Sequence, residues 1–307
     1  MLRNTPTQTP CVRKCRYYSK KSTFERKEYD MNKKLSKLLA LTAAAALGLA
    51  FQSVAAQNKI VIDGSTTVGP ISKAFADYYS ENHPDVNITI SESGSGNGVK
   101  SLMNKACDIA NMSRFMKPAE FKSCVEKNIM PVAHVVAFDG LAVIVNPQNK
   151  ISALTLEQIA DIYTGKITNW KEVGGDDAQI IIVSRDTNSG TYETFNELVL
   201  HKKDVAKNAE YVGSNGHART RVNTTKNAIA YVGLGFVDDT VKPLSVNGIL
   251  PTSKSISTGK YAIARPLYMF TDAYPKMGSD IYNFVTLHLS KEGREIIKDL
   301  GYIPVCE

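Results

Sequence analysis

The residues of this chain best suited to chemistry stand in one short polar run, Arg185 through Thr191. Ser189 and Thr191 bring hydroxyl donors, and Gly190 lets a ligand approach the backbone closely. Arg185 adds a fixed positive charge that can bond two oxygens of an anion at once. A set made of donors and a cation suits a tetrahedral anion. The alternative is that Ser189 only caps a helix and that Arg185 is solvated.

Apolar residues on both sides indicate how this run is held. Ile180 to Val183 predict a buried strand before it, and an amphipathic pattern with helical spacing follows from Tyr192 to Val199. The run is therefore a turn from a strand into a helix start. The first N–H groups of a helix lack internal partners and the helix dipole is positive there, so this position favours an anion.

The same strand–turn–helix pattern occurs twice more in the chain. The turn Gly64 to Thr67 follows the apolar run Lys59 to Ile62, and the turn Ser93 to Gly98 follows Val86 to Ile90. A further apolar segment ends in Ser113-Arg114. Helix capping explains one hydroxyl-rich turn easily, but three of them, with two arginines at strand ends, favour anion binding.

Strands alternate with helices along the chain, which predicts an α/β fold with mostly parallel sheets. In such folds ligands bind beyond the carboxyl ends of the strands, where the helices begin. Val132 to Ala137 and Leu141 to Val145 are two β-type runs, and Asp139-Gly140 between them is interpreted as the crossover between two lobes. Tyr261 to Leu267 is expected to return the chain to the first lobe.

The net charge of +7 belongs to the N-terminal end of the chain. Residues 1 to 56 hold eleven of the 37 Lys and Arg residues and three of the 30 Asp and Glu residues, so the remainder is close to neutral. The rest has no basic stripe and no nucleic-acid motif, which argues against a nucleic-acid partner.

The basic N-terminal segment has the pattern of an export signal. Met31 begins a basic stretch, Leu38 to Phe51 is apolar, and Val54-Ala55-Ala56 supplies the small residues of a cleavage site. Residues 31 to 56 are therefore predicted to be a signal peptide that is cleaved before Gln57. No cysteine follows the cleavage site, so no lipid anchor is predicted. Residues 1 to 30 are interpreted as a disordered or non-native extension.

Motifs for metals, cofactors and nucleophilic catalysis do not stand out. The glycine spacing at Ser93 to Gly98 fits neither a dinucleotide fingerprint nor a P-loop, and it lacks the pattern of a nucleophile elbow. No Cys-x-x-Cys occurs and the histidines are scattered, so neither a metal nor a cofactor is predicted. Cys107, Cys124 and Cys306 permit one disulfide in an oxidising compartment, and the sequence leaves its pairing open.

Taken together, these motifs resemble those of periplasmic phosphate-binding proteins, the soluble receptors of ABC-type phosphate importers. The resemblance covers nearly all of residues 59 to 305, and the matching segments are Gly64 to Thr67, Gly94 to Lys100, Ser113-Arg114, Ile162 to Trp170, Arg185 to Thr191 and Gly301 to Val305.

This resemblance implies a two-lobed fold, the type II periplasmic binding protein fold, with a hinge between the lobes. The first lobe would contain residues 57 to 138 and the returning segment 256 to 307, and the second lobe residues 139 to 255. It also implies a monomer in the periplasm that binds inorganic phosphate and contacts an ABC transporter permease in the inner membrane. Neither a cofactor nor a catalytic residue is expected.

Carried over by position, the phosphate ligands of the family fall on Thr66, Thr67, Ser95, Arg185, Ser189, Gly190 and Thr191. The best-known members have an Asp that accepts the phosphate proton where this chain has Arg114, beside Ser113. Arg114 would add a second donor that gives no discrimination against sulfate. Asp139, at the predicted crossover, is the hypothesis for the missing acceptor. The alternative is that Asp139 caps a turn or pairs with an arginine.

Two other functions stay open at this point. Because of Arg114, the ligand of the receptor could be sulfate, molybdate or another oxyanion. A protein of a different class, an exported phosphatase, would need a nucleophile with a base or a metal site, and no such arrangement stands out. A sensor or adhesin that uses the same fold is a third possibility.

Overall fold

The computed structural model describes residues 58 to 306. The predicted N-terminal extension and signal peptide lie outside these residues. Within the described residues, no helix is long and apolar enough to cross a membrane. In the same region Cys107 and Cys124 are buried, Cys306 is exposed, and all three are free thiols.

The elements of the first part of this region agree with the predicted alternation of strands and helices. In chain order they are β1 (Asn58–Gly64), α1 (Gly69–Asn82), β2 (Val86–Ser91), α2 (Ser95–Met103), β3 (Ile109–Met112), α3 (Pro118–Glu126) and β4 (Pro131–Val145).

The second part continues the alternation with shorter elements and three single turns of 3₁₀ helix at Trp170–Val173, Leu234–Phe236 and Leu287–Leu289. The other elements are β5 (Ala153–Leu154), α4 (Leu156–Tyr163), β6 (Ile181–Arg185), α5 (Gly190–Leu198), β7 (Glu210–Val212), α6 (Asn215–Asn223), β8 (Ala228–Gly233), β9 (Lys242–Pro243), β10 (Ser245–Val246), α7 (Ser253–Ser257), β11 (Ala264–Asp272), α8 (Asp280–Thr286) and α9 (Lys291–Asp299).

The main sheet has the strand order β2-β1-β3-β11-β4-β8-β6-β7, and β9 pairs with β4 off this path. The predicted parallel pairing is found at both ends, where β1 joins β2 and β3 and where β6 joins β7 and β8. The centre is antiparallel, because β11 pairs with β3 and β4, and β4 pairs with β8. The predicted α/β class is confirmed.

One long strand, β4, replaces the two separate runs predicted around Asp139-Gly140. Its first part pairs with β11 as far as Gly140, and its second part, Leu141 to Val145, pairs with β8. Asp139 stays within the strand because the residue opposite it on β11 is Arg265, which neutralises its charge. The strand therefore passes from one set of neighbours to the other without a turn.

The buried apolar side chains form two groups of clusters on either side of this point in β4. One group draws on residues 60 to 137 and 267 to 302, and it includes Phe75 and Phe284 in edge-to-face contact. The other draws on residues 141 to 263 together with Ile303. Each group contains one end of the sheet, so the turns at the strand ends are held by two separately packed cores.

Candidate anion-binding site

Three turns that lie between a strand and a helix meet around one small cavity. They join β1 to α1, β2 to α2 and β6 to α5, and the sequence predicts each of them. The cavity has a volume of about 120 Å³ and is lined by Ser65, Thr66, Gly94, Ser95, Ser113, Arg185, Ser189, Gly190 and Thr191.

Seven of the ten predicted site residues line this cavity, whereas Thr67, Arg114 and Asp139 do not. The space between these side chains is far smaller than the pockets of roughly 300–1,000 Å³ in which organic ligands and cofactors bind, so it suits only a small inorganic species. Its lining contains hydroxyls, backbone N–H groups and one guanidinium. Among the described residues that line it there is neither a histidine nor a carboxylate.

Arg185 brings a buried positive charge to the cavity. It ends β6 and is 1% exposed, and its Nε and Nη2 donate hydrogen bonds to the Val212 and Gly213 carbonyls over 3.1 and 2.8 Å. Nη1 is buried without a partner, and within residues 58 to 306 no carboxylate forms an ion pair with this guanidinium. Burial lowers the pKa of Arg185 to about 10, so it remains charged at neutral pH.

Neighbouring aromatic residues hold Arg185 in place. Its backbone N–H donates to Tyr231 Oη over 3.1 Å, and Ser184 Oγ lies 2.9 Å from the same oxygen. The Tyr231 ring stacks on Phe195 of α5, with ring centroids 3.8 Å apart. The end of β6 is therefore fixed to both β8 and α5.

Two helix starts contribute the positive ends of their dipoles. α2 begins at Ser95 and α5 begins at Gly190, and both residues line the cavity. The first N–H groups of each helix have no acceptor within the helix. Ser189 caps α5, because its Oγ accepts a hydrogen bond from the Tyr192 N–H over 3.3 Å. The capping role considered for Ser189 is thus correct, and it coexists with a place in the cavity wall.

Gly190 allows the two sides of the cavity to meet. A Cβ at this position would lie 2.5 Å from Ser95 Oγ and 2.6 Å from Ser113 Oγ, which is too close for any side chain. Nearby, the Gly96 N–H donates to the Asn188 carbonyl over 3.0 Å and joins the two turns directly. A residue larger than glycine at 190 would have to displace the two serine hydroxyls or the start of α5.

A group of hydrogen-bonded side chains lies behind the cavity. Thr67 Oγ1 lies 3.0 Å from Thr191 Oγ1, and Arg265 Nη2 donates to Thr191 Oγ1 over 2.9 Å. Asn215 Nδ2 donates to Thr66 Oγ1 over 3.2 Å and to Thr67 Oγ1 over 2.9 Å. Thr67 therefore supports the residues that line the cavity instead of lining it.

Neither Asn215 nor Arg265 is among the residues that the sequence predicts for this site. Asn215 is fully buried and is the first residue of α6, directly after the helix cap Ser214. The available signal was the order of elements, because β7, Gly213-Ser214 and α6 repeat the strand–turn–helix pattern of the other three turns.

Arg114 was predicted to bind the anion, but its guanidinium is turned to other partners. Nη1 and Nη2 donate to the two carboxylate oxygens of Glu120 over 2.8 and 2.7 Å, and Nε contacts the carboxylate of Glu193 on α5. Lys117 Nζ lies 3.0 Å from Glu193 as well. Two carboxylates neutralise Arg114, so its charge is directed away from the cavity that Ser113 lines.

Asp139, the hypothetical proton acceptor, is fully buried but is also absent from the cavity lining. Its Oδ2 accepts hydrogen bonds from Arg265 Nε and Nη2 over 3.2 and 2.9 Å, and its Oδ1 accepts one from the Leu234 N–H over 2.9 Å. Burial raises the pKa of this carboxyl, and Arg265 opposes the rise. The structure thus supports the alternative role, a pair with an arginine.

The described residues contain no cluster of three or more His, Cys, Asp or Glu side chains that could hold a metal ion.

Comparison with known proteins identifies a family to which the chain is similar. The model of the PBP superfamily domain matches residues 50 to 288. The phosphate-binding protein PstS of Borreliella burgdorferi is 32% identical over 260 residues, which cover 81% of this chain and 91% of that protein.

Two solved structures resemble the chain along almost their whole length. A phosphate ABC transporter substrate-binding protein from Clostridium perfringens, with bound phosphate, is 35% identical with a TM-score of 0.76, covering 81% of this chain and all of that one. An ABC-type phosphate transport receptor from Vibrio cholerae is 33% identical with a TM-score of 0.64, covering 80% of this chain and 99% of that one.

Proposed function

Because the chain belongs to the PBP superfamily and, within it, to the family of phosphate-binding proteins, we propose that it is the receptor of an ABC-type phosphate importer. It binds inorganic phosphate outside the cytoplasm and delivers it to the permease. It acts in the periplasm as a monomer without enzymatic activity. Its relatives are described as a phosphate-binding protein, a substrate-binding protein of a phosphate ABC transporter and a phosphate transport receptor.

The observation that carries this proposal is the buried, uncompensated charge of Arg185. A buried guanidinium without a counter-ion destabilises the fold unless a ligand supplies the negative charge. Here the free Nη1 accompanies a cavity whose other polar groups are hydroxyls and helix-start N–H groups. A phosphate oxygen can accept from each of these, and a charge-assisted hydrogen bond contributes about 1.5–3 kcal/mol.

The proposed ligand set follows the cavity lining and differs from the sequence prediction. It keeps the seven lining residues, gives Thr67 a supporting role, and leaves out Arg114 and Asp139, which have other partners. The set consists of Thr66, Ser95, Ser113, Arg185, Ser189, Gly190 and Thr191.

Lobe closure is the proposed functional motion. The first lobe would contain residues 57 to 138 and 256 to 307, the second lobe residues 139 to 255, and the hinge would include the point where β4 changes partners. The cavity has walls from both proposed lobes, so it exists only when they are closed. Opening would separate Ser95 from Gly190 and release the anion to the permease.

Calorimetric titration of the protein with phosphate, at pH 6 and pH 8.5, tests the proposal. We expect tight binding at a ratio of one to one, and no turnover of a chromogenic phosphate ester because no base lines the cavity. Absence of phosphate binding would contradict the proposal, and ester hydrolysis would favour the exported phosphatase.

A second candidate is a receptor for another tetrahedral oxyanion, and one observation favours it. No carboxylate is found among the residues that line the cavity, so the group that would repel a fully ionised sulfate is missing there. Competition of sulfate and molybdate against bound phosphate separates the two. Displacement at concentrations similar to that of phosphate would support a general oxyanion receptor.

A further inference from the structure

Asn215 lies behind the cavity and contacts both Thr66, which lines it, and Thr67, which does not, with one nitrogen. The residue is 0% exposed, and its Nδ2 donates to Thr66 Oγ1 and to Thr67 Oγ1 over 3.2 and 2.9 Å. An amide nitrogen carries two hydrogens and accepts none. Both hydrogens of Asn215 are therefore committed to these two hydroxyl oxygens.

The hydrogen-bond count at Thr66 determines the direction of its hydroxyl. A hydroxyl has two acceptor positions and one hydrogen. Thr66 Oγ1 accepts from Asn215 Nδ2 and from Arg185 Nη2, the latter over 3.3 Å. Both acceptor positions are filled, so the hydrogen of Thr66 must point elsewhere. The residue lines the cavity, and an anion there is the acceptor for it.

The count does not extend to Thr191 through Thr67. Arg265 Nη2 carries two hydrogens but lies within hydrogen-bond distance of Asp139 Oδ2 and Thr191 Oγ1, both at 2.9 Å, and of Thr67 Oγ1 at 3.3 Å. The two shorter contacts use both hydrogens, so Thr67 Oγ1 accepts from Asn215 Nδ2 and has a second acceptor position open to Thr191 Oγ1 at 3.0 Å. Asn215 therefore fixes the direction of the hydroxyl at Thr66 and not at Thr191.

We infer that Asn215 is a positioning residue that makes the Thr66 hydroxyl act only as a donor to the bound anion. This inference rests on the proposed function, since it concerns the same cavity. Without the amide hydrogens, Thr66 could turn its own hydrogen toward position 215. Its hydroxyl would then present a lone pair to the anion, which repels it.

Asn215→Asp tests the inference, because the two side chains have almost the same shape but differ in their hydrogen bonds. A carboxylate accepts hydrogen bonds and donates none. We expect the affinity for phosphate at pH 8, measured by calorimetry, to fall about 100-fold or more. Protonation of the new carboxyl restores one donor, so the loss relative to the native protein should shrink as the pH falls toward 5. A loss that is the same at every pH would overturn the inference.

Asn215→Leu removes the amide donors without adding a negative charge. It therefore distinguishes the loss of hydroxyl orientation from repulsion between a new carboxylate and the anion. This variant is combined with Thr66→Val, which removes the hydroxyl that Asn215 orients. If Asn215 acts through that hydroxyl, the double variant should bind phosphate more tightly than the product of the two single losses predicts, by about fivefold. Fully additive losses would contradict the inference, even if Asn215→Asp fails to fold.

Asn146→Asp is the matched control. Asn146 is also buried and donates both Nδ2 hydrogens, but to the Val222 and Asn223 carbonyls, away from the cavity. We expect lower thermal stability and an affinity for phosphate that changes by less than about twofold, with no dependence of the change on pH. If the native protein binds no phosphate, the proposed function fails. If the native protein binds and Asn215→Asp binds equally well, only the inference fails.

Discussion

The chain has two arginines that follow a serine at the end of a strand, and the structure uses them in opposite ways. Ser184-Arg185 ends β6 and Ser113-Arg114 follows β3. Arg185 is buried, bonds to backbone carbonyls and keeps one nitrogen without a partner. Arg114 is also buried, but it is surrounded by Glu120 and Glu193.

This difference shows that a buried arginine marks an anion site only when the protein itself supplies no carboxylate to neutralise it. Both side chains hold their charge away from water, but only Arg185 needs a charge from outside the chain. Arg114 instead connects α3 to Glu193 of α5, the helix whose first residues line the cavity. We therefore expect Arg185 to act in binding and Arg114 to act in holding the two walls together.

The largest expected effect comes from Arg185→Gln. The change removes the positive charge and leaves a shorter, uncharged polar side chain, so the charge-assisted hydrogen bonds to the anion are lost. Affinity for phosphate should fall by about 1,000-fold or more in a calorimetric titration. Arg114→Gln is the matched variant, and a loss as large as that of Arg185→Gln would break the comparison between the two arginines.

Gly190→Ala tests whether binding requires the start of α5 to lie close to Ser95 and Ser113. The added Cβ would overlap Ser95 Oγ and Ser113 Oγ, so closure should require a shift of α5. Overpacking of this kind costs about 1–3 kcal/mol, which predicts a loss of phosphate affinity of roughly 10- to 100-fold.

The control for this variant is Gly216→Ala in α6, where an added Cβ has only one neighbour, at 3.8 Å. Small-angle scattering with saturating phosphate should show a less compact Gly190→Ala variant and an unchanged control. Native affinity in Gly190→Ala would show that the glycine is not required for closure.

Glu193→Gln should have a smaller effect, confined to the Arg114 side of the comparison. It weakens the contact of α5 with Arg114 and Lys117 without touching the cavity. We expect phosphate to dissociate about threefold faster in stopped-flow measurements, with association almost unchanged, because Arg114 keeps both hydrogen bonds to Glu120 when the charge of Glu193 is removed. Glu120→Gln alters the same arginine without removing its contact to α5. An equal increase in the dissociation rate of that variant would show that the contact between Arg114 and Glu193 does not hold the two walls of the cavity together.

The smallest effect is a change of stability with pH that involves Glu120. Burial alone would raise the pKa of Glu120, but hydrogen bonds from Arg114 and from the Lys117 N–H outweigh burial and lower it below its usual 4.5. A carboxyl with a lowered pKa stabilises the fold above the usual value, and this contribution is lost as the pH falls through the lowered pKa.

Urea unfolding of the native protein and of Glu120→Gln checks this sign. The native protein should be the more stable of the two at pH 7, and the difference in the free energy of unfolding should decrease below about pH 4.5. A difference that grows as the pH falls would mean that Glu120 is not stabilised as the carboxylate.

Local patterns were sufficient to predict the strands and helix starts that form three of the turns around the cavity. Each of these depends on residues close in sequence, such as the apolar run before Arg185 and the cap at Ser189. Contacts between distant segments were not accessible. Glu193 neutralises Arg114 from another part of the chain, and Arg265 keeps Asp139 within a continuous strand. Asn215 reaches the cavity only because α6 packs beside β6 and β8.

A crystal structure of the protein with phosphate would show directly which arginine binds the anion. We predict a phosphate oxygen within hydrogen-bond distance of Arg185 Nη1, other oxygens at the Thr66 and Thr191 hydroxyls, and Arg114 still paired with Glu120 and Glu193. A phosphate bound to Arg114, with Arg185 Nη1 left without an anionic partner, would contradict the account.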